Sequence, residues 1–394
     1  MKVSGVATLL LLASGASSAQ TTNDPPLVVQ SVECRGNRST SCEFIRSHLN
    51  LAAGMPVDEA EIRNAQLRLS SVRNFEAVDV RLQRGTQRAA AIVVIEVTEA
   101  SLITTESVAG LSSRLDSTRS VFATRVAHHN LFGGGETIDL SGVAVTPFAG
   151  DAHDEDYQVH LRYADPNLFG ADHFFGIARL SWMNTRRQDI YGNFSDFEGP
   201  EIDLRVGHRF GAFSYVTFGA TFRPKLDFTT GEWDGPGDFD VNVRHNHYGL
   251  NIIYGWNTED DLYFPTRGHS FHVGAGWDFG SGSPANRSHI QYRKTWHVND
   301  GLLTLKLGGS PSPEYRTSFE ESQLLSVSYS QALQASDHLK RGRWYVEPGV
   351  GYTAGFTPDG DRIYEVGIKA GVRLDTTSFG IVDLYLMGTR DPQR

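Results

Sequence analysis

The stretch Tyr364-Glu365-Val366-Gly367-Ile368-Lys369-Ala370-Gly371-Val372-Arg373-Leu374-Asp375 alternates strictly between two kinds of side chain. Every even-numbered position is apolar, and every odd-numbered position is glycine or charged. A period of two predicts a β-strand, because successive side chains of a strand point to opposite faces. Full charges on one face and apolar groups on the other are typical of a strand that separates lipid from a watery barrel interior.

The same alternation recurs through the region 101–394, for example in residues 157–163, 201–210 and 271–279. The alternating segments often run for roughly ten to fifteen residues, whereas soluble strands average about five or six. We therefore predict an all-β transmembrane antiparallel barrel in residues 101–394. At roughly 18 residues per strand with its connection, it would hold about 16 strands, an even number. A direct count of segments gives fifteen. A soluble sandwich or a large lipocalin-like barrel is the alternative.

Composition narrows the class of partner. The chain carries 36 basic against 46 acidic residues, a net charge of −10, which argues against nucleic acid because phosphate binding needs a basic face. Beyond the N-terminus, no stretch approaches the ~20 apolar residues that a transmembrane helix needs. The 40 glycines and 22 phenylalanines suit barrel strands, where glycine permits curvature and aromatic rings lie at the lipid interfaces.

The first residues have the pattern of an export signal. Lys2 supplies the positive start, residues 9–12 are consecutive leucines, and Ala19 ends a small-residue cleavage site. We predict a signal peptide over 1–19 and a polar lead segment over 20–26. The alternative is a buried N-terminal helix.

Residues 27–100 have a different pattern from the barrel region. Apolar spacing predicts the order strand, helix, helix, strand, strand, which is enough for one small α+β core. Cys34 and Cys42 lie in this unit, and in an exported chain we expect them to form a disulfide. Two unpaired thiols remain the alternative, because sequence does not give the distance between them.

With these elements in place, the chain resembles the BamA/TamA family of outer-membrane assembly proteins, also called bacterial surface antigens. Residues 27–100 look like a single POTRA domain, the βααββ module of that family, with Asn74-Phe75 and Val97-Thr98-Glu99 at motif positions. The motifs His129-Asn130-Leu131-Phe132-Gly133-Gly134-Gly135 and Asp165-Pro166-Asn167-Leu168-Phe169-Gly170 resemble the start of the family's barrel.

The sharpest resemblance is a hairpin turn motif within Asp261-Leu262-Tyr263-Phe264-Pro265-Thr266-Arg267-Gly268. Its motif residues are Phe264, Pro265, Thr266, Arg267 and Gly268. Proline presets one turn dihedral and glycine supplies a positive one, so we expect a tight reversal between long strands.

The chain also departs from the family. The family's loop arginine is held by an acidic residue on a late strand, which by resemblance points to Arg316 and Glu347 as a barrel-loop pair. The glycine expected after the arginine is absent, so two unpaired charges are the alternative. Only one POTRA-like unit is present, and the last alternating segment is followed by Thr389 to Arg394 rather than by a terminal aromatic residue.

No sequence feature indicates an enzyme. A Gly-x-Ser-x-Gly elbow, a phosphate loop and a dinucleotide fingerprint are all missing. His245 and His247 share a strand face, but no third ligand accompanies them, so we interpret them as lumen-facing or interfacial side chains. We expect no catalytic residue, no cofactor and no metal.

The resemblance implies outer-membrane protein assembly or polypeptide translocation. The POTRA unit would lie in the periplasm of a Gram-negative bacterium and capture unfolded or exported polypeptide clients by strand addition. The barrel would act in outer-membrane lipid at a weak seam between its first and last strands, and periplasmic or lipoprotein partners are a further expectation. The alternative is a channel or structural barrel without insertase activity, and a surface adhesin is a third interpretation. The extent of hydrogen bonding across the seam discriminates the first two.

Overall fold

The structure is a computed structural model. It describes residues 27–49, 51–70, 72, 74–114, 117–147, 156–170, 173–188, 194–210, 213–231, 241–261, 263–279, 285–308, 323–356 and 362–390. The predicted signal peptide, the lead segment and Arg316 lie outside these residues.

A small α+β unit comes first along the chain. Its elements are β1 (Val28–Arg35), α1 (Cys42–Ser47), α2 (Glu59–Ser70), β2 (Phe75–Arg84) and β3 (Ala90–Glu99), so the predicted element order is confirmed. The sheet order is β1-β3-β2, in which β1 runs parallel and β2 antiparallel to β3. Among the described residues, no helix combines the length and the apolarity that crossing a bilayer requires. We call residues 27–100 the small unit.

The core of the small unit forms between its helices and one face of its sheet. The side chain of Ser41 caps α1 by accepting a hydrogen bond from the backbone N–H of Phe44 at 3.1 Å. Phe44 and Ile45 of α1 and Leu69 of α2 are buried against Val93 of β3. Burial of such side chains contributes roughly 1.5–3 kcal/mol each, so these residues hold the helices on the sheet.

The strands of the second region follow one another without intervening α-helices in the described residues. They are β4 (Ile103–Arg114), β5 (Ser117–His129), β6 (Thr137–Pro147), β7 (Asp156–Asp165), β8 (Phe174–Gln188), β9 (Phe194–Phe210), β10 (Ser214–Gly231), β11 (Val241–Asn257), β12 (Gly268–Phe279), β13 (Ala285–Val298), β14 (Gly301–Leu307), β15 (Gln323–Leu333), β16 (Leu339–Phe356), β17 (Arg362–Thr376) and β18 (Gly380–Arg390).

These strands close into a barrel in which each pairs with its sequence neighbour in antiparallel fashion. The described part of the chain contains fifteen barrel strands, so the expected even number of about 16 is wrong and the direct segment count is right. The reason lies in the closing pair, because β18 and β4 pair in parallel. An up-and-down barrel that closes between two strands of the same direction must have an odd number of strands.

The predicted alternation of faces is confirmed. Val366 and Ile368 are exposed on the outer face, at 48% and 53% of their surface. Glu201 and Asp203 point inward and are buried, while Leu204, the next residue along the same strand, is 54% exposed. Apolar residues therefore surround the outside of a closed barrel, and charged residues fill its inside. That arrangement excludes a sandwich, whose apolar faces pack together, and a lipocalin-like barrel with an apolar interior.

Candidate functional site at the barrel seam and mouth

The barrel closes at the pair β18–β4, which we call the seam. Its register runs from Ile381 opposite Glu106 to Gly388 opposite Ser113. At one end the Thr105 hydroxyl also donates to the carbonyl oxygen of Phe379 at 2.6 Å. Parallel pairs are slightly less stable per residue than antiparallel pairs, so the seam is a weak place in an otherwise antiparallel wall.

The outer face of the seam is sparsely apolar on the β4 side. Thr105 and Ser107 alternate with the inward-pointing Glu106, and they lie between the exposed residues Ile103 and Leu111. On β9, by contrast, the corresponding outer row carries Ile202, Leu204 and Val206 (all exposed). Small hydroxyl side chains offer little apolar area, so the outer face of β4 is less apolar than that of β9.

The inner face of the seam brings an aromatic ring onto a glycine. Tyr385 of β18 lies opposite Gly110 of β4, and a Cβ on that glycine would come within 2.5 Å of the tyrosine ring. The ammonium group of Lys369 lies 4.0 Å from the centroid of the same ring, at cation–π distance. A side chain larger than hydrogen at position 110 would therefore displace the ring of Tyr385 from this position.

Paired charges continue from the seam along the inner wall of β4 to β7. Arg125 donates to Glu106 at 3.2 Å and to Asp139 at 2.8 Å, and Arg162 donates to Asp139 at 2.8 Å. Hydrogen bonds between ionised groups are stronger than neutral ones, and each buried charge here has an opposite partner. The first strands therefore share one ionic ladder.

A second ladder lines β8 to β10. Arg179 donates to Glu201 at 3.2 Å, Arg223 donates to Glu201 at 2.7 Å, and Arg205 donates to Asp203 at 2.7 Å. The alternation in residues 201–210 predicts that Glu201, Asp203 and Arg205 share one face of β9, and the structure brings these side chains together on the inner face.

The connection between β11 and β12, residues 258–267, holds the predicted hairpin motif, and we call it the motif turn. Its interior is fixed by two carboxylates. Asp260 accepts from the backbone N–H and the hydroxyl of Thr266 at 2.8 and 2.5 Å, and Asp261 accepts from the backbone N–H groups of Tyr263 and Phe264 at 2.8 and 2.9 Å. Gly268 has φ +100°, as the motif predicts. The reversal itself is longer than the tight turn that the sequence suggested, because β11 ends at Asn257.

The motif turn contacts strands on the far side of the barrel. Arg341 of β16 forms an ion pair with Asp261 at 2.5 Å, and Arg343 donates to the carbonyl oxygen of Pro265 at 3.0 Å. Phe264 is only 3% exposed, and the guanidinium groups of the two arginines lie 4.5 and 5.7 Å from its ring centroid. The motif turn therefore lies inside the barrel rather than at its rim.

Glu347 of β16 is buried, and it binds Lys306, a cation that the sequence analysis did not pair with it. Lys306 of β14 donates to both carboxylate oxygens at 2.8 and 2.7 Å, and the Ser326 hydroxyl donates to one of them at 2.8 Å. Because Arg316 lies outside the described residues, the pair Arg316–Glu347 stays a prediction. The alternation in Leu302-Leu303-Thr304-Leu305-Lys306 was the sequence signal that could have placed Lys306 on the inner face.

The two barrel turns with near-repeated sequence hold the small unit. In the first, Asn130 donates to the Thr40 hydroxyl at 3.1 Å, and the carbonyl oxygen of Gly133 accepts from the backbone N–H of Ser41 at 2.9 Å. Gly135, with φ +83°, packs so closely that a Cβ would lie 2.1 Å from the ring of Phe44. The small unit therefore docks on the barrel through its helix α1.

The second of these turns contacts the other end of α1. Asn167 donates to the Ser47 hydroxyl at 3.3 Å, and Arg209 of β9 donates to the carbonyl oxygen of Pro166 at 2.8 Å. In each repeat the asparagine faces the small unit, whereas the phenylalanine two residues later, Phe132 or Phe169, is exposed. The two turns of near-repeated sequence therefore each use their asparagine to bind the small unit, one at each end of α1.

Two titratable groups of the small unit have shifted pKa values, and one of them, His48, lies near Arg209 of the barrel. Burial together with the positive charges of Arg209 and Arg68 lowers the pKa of His48 to about 4. Burial raises the pKa of Glu99, but hydrogen bonds from the backbone N–H groups of Ser39 and Thr40 outweigh it and hold that pKa below its usual value. His48 is therefore neutral and Glu99 charged in the docked small unit at neutral pH.

Cys34 and Cys42 form a disulfide between β1 and the start of α1, with their Cα atoms 5.7 Å apart. Among the residues that the structure describes, no cluster of three histidine, cysteine or acidic side chains is arranged to hold a metal ion.

Comparison with known proteins gives similarity of fold. No family model matches the sequence, and no curated protein matches it. CdiB from Acinetobacter baumannii is 12% identical with a TM-score of 0.54, and the match covers 90% of this chain and 68% of that one. CdiB from Escherichia coli is 11% identical with a TM-score of 0.55, covering 89% and 70%. BamA from Haemophilus ducreyi lacking POTRA domains 1–3 is 12% identical with a TM-score of 0.46, covering 93% and 81%.

Proposed function

We propose that this chain spans the outer membrane of a Gram-negative bacterium and assembles or translocates other polypeptides at the seam, with the small unit acting in the periplasm as a POTRA domain. The fold shared with the CdiB barrels supports a membrane-spanning barrel. The sequence resemblance to the BamA/TamA family supports an assembly role.

The observation that carries the proposal is the parallel closing pair. Strands β4 and β18 run in the same direction and pair over part of their length. A client strand that entered between them in the opposite direction would pair antiparallel with both, and the barrel would then have an even number of strands. Since antiparallel pairing is the more stable kind, such insertion replaces one weaker pair with two stronger ones.

The small unit offers an edge for capture. In the sheet order β1-β3-β2, the strands β1 and β2 are the edges, and the segment around Met55 already bonds the start of β1 through Val29. Strand β2 is therefore the better acceptor for an extended client, which would add to it by β-augmentation. A photocrosslinker in place of the exposed Glu76 of β2 should react with an unfolded barrel client, and one in place of Glu59 of α2 should not.

A functional test compares client folding with the seam free and closed. Ser107 and Val382 are register partners across the seam, so the double variant Ser107→Cys/Val382→Cys allows an oxidised cross-link. In liposomes, the wild type and both single variants should speed the folding of a urea-unfolded barrel client, and the cross-linked double variant should not. Client folding no faster with the wild type than in empty liposomes would contradict the assembly role.

A channel is the second candidate, and one observation favours it. The seam is hydrogen-bonded over eight register pairs, as expected of a permanently closed wall. A channel predicts steady ion conductance in a planar bilayer that the seam cross-link leaves unchanged, together with no effect on client folding.

A further inference from the structure

We infer that the motif turn acts as a latch inside the barrel that holds the two seam strands together. The seam opens only when this turn moves away from Glu106 and Arg373. The inference deepens the proposed function, on which it rests for the seam as the working site. It concerns what controls the seam rather than which client enters.

The position of the motif turn makes its contacts unexpected. It joins β11 and β12, the eighth and ninth strands counted around the barrel from β4, and so begins about as far from the seam as the wall allows. From there it crosses the interior to β4, β16 and β17. A turn that merely reversed the chain would contact its own neighbouring strands.

One residue of the turn contacts β4 directly and reaches β18, the other seam strand, through Arg373 of β17. The hydroxyl of Tyr263 donates to the carboxylate of Glu106 on β4. The backbone carbonyl of the same tyrosine accepts from Arg373 of β17 at 3.2 Å, and that guanidinium group also holds Asp383 of β18 at 2.5 Å. Tyr263 thus links the first barrel strand to the last through three consecutive polar contacts.

The motif turn is stiff enough to transmit this restraint. Its own carboxylates fix its backbone, and Glu259 at its start is held by two nitrogens of Arg293 on β13. Phe264 is buried beneath Arg341, which is itself paired with Asp375 of β17 at 2.9 Å. Both ends of the latch are therefore anchored, one on β13 opposite the seam and one on β16 and β17 beside it.

The latch explains how a weak parallel pair stays closed without a client. Charge-assisted hydrogen bonds from inside the barrel add to the seam's backbone pairing, and they break only if the turn moves away from Glu106 and Arg373. Loss of a single such bond to a charged group corresponds to roughly a tenfold change in an equilibrium.

The test removes one hydroxyl and measures opening of the seam in lipid nanodiscs. In Tyr263→Phe, the backbone amides of β4 and β18 should exchange with deuterium about tenfold faster than in the wild type, while those of β9 and β10 should not change. Tyr215→Phe, the same change at an inward tyrosine of β10, is the matched control and should exchange as the wild type does. The oxidised cross-link between positions 107 and 382 should cancel the acceleration.

A second variant protects the test against misfolding. Phe264→Ala removes the buried ring of the turn, leaves both seam strands intact and should act in the same direction. Wild-type exchange at β4 and β18 in both variants would overturn the latch. If seam exchange rises but the wild type fails to speed client folding, the latch stands and the assembly role falls. If seam exchange stays unchanged while the wild type speeds client folding, the assembly role stands and the latch falls.

Discussion

Mild acid should loosen the docking of the small unit on the barrel, and His48 is the group responsible. The ring of His48 lies at the end of α1, where its Nδ1 is 3.0 Å from the carbonyl oxygen of Phe44. Burial is the main factor that disfavours a positive charge on the ring, and the guanidinium groups of Arg209 from the barrel and of Arg68 from α2 add to it. A proton bound at His48 would therefore be repelled as long as α1 stays docked.

The sign and the magnitude follow from the shifted pKa. The pKa of His48 falls from 6.5 to about 4 in the folded protein, so the opened state takes up the proton more readily. Stability is then complete above pH 6.5 and decreases as the pH drops towards 4. At pH 5 the loss of stability calculated from the whole pKa shift of His48 is about 2 kcal/mol. Because the ring keeps some contact with solvent, we expect a loss of about 1–2 kcal/mol.

Hydrogen-exchange protection factors of α1 and α2 measure this loss, since they already correct for the pH dependence of chemical exchange. Between pH 7 and pH 5 they should fall about tenfold in the wild type. His48→Gln cannot gain the proton and should show a flat profile over the same range. Glu99 titrates below this window, because its pKa lies under the usual carboxylate value. An equal fall in the wild type and in His48→Gln would refute the reasoning.

Three further outcomes are expected. Gly135→Ala should undock the small unit and lower its hydrogen-exchange protection much more than Gly170→Ala does. Both variants replace a glycine of positive φ, at a cost of about 1–2 kcal/mol, but only Gly135→Ala drives a Cβ into the ring of Phe44. Equal effects would mean that the ring contact is unimportant. Replacing both cysteines by serine should lower the stability of the small unit by about 2–3 kcal/mol, as expected for a loop closed over eight positions, with the barrel's urea midpoint unchanged. Glu347→Gln should lower the barrel's stability by about 1.5–3 kcal/mol, measured by tryptophan fluorescence during urea unfolding. Adding Lys306→Met should recover part of this loss. No recovery would show that the ion pair is not the cause.

Local sequence pattern was sufficient to place the strands. The alternating segments at residues 157–163, 201–210 and 271–279 lie within β7 (Asp156–Asp165), β9 (Phe194–Phe210) and β12 (Gly268–Phe279). The alternation of apolar and charged residues also assigned the correct face, because in a barrel wall each side chain contacts either the outside or the interior. These properties depend on residues a few positions apart.

The seam and the latch depend on residues far apart, which is why sequence did not reveal them. The even strand number assumed an antiparallel closure, and nothing local in β4 or β18 signals that they run in the same direction. The motif around Pro265 and Gly268 indicated a turn, but its sequence does not state that Tyr263 reaches Glu106, 157 positions away. Lys306 was overlooked for the same reason, since its partner Glu347 lies two strands further on.

The hydrogen bond between Thr105 and Phe379 joins residues 274 positions apart in the chain. Every other barrel pairing in the described residues links consecutive strands and can form as soon as its own hairpin exists, whereas this one must wait for the entire sheet to curl. We therefore expect the β18–β4 pairing to be the last barrel pairing to form. Until it happens, two unprotected strand edges are simultaneously available to any neighbouring chain.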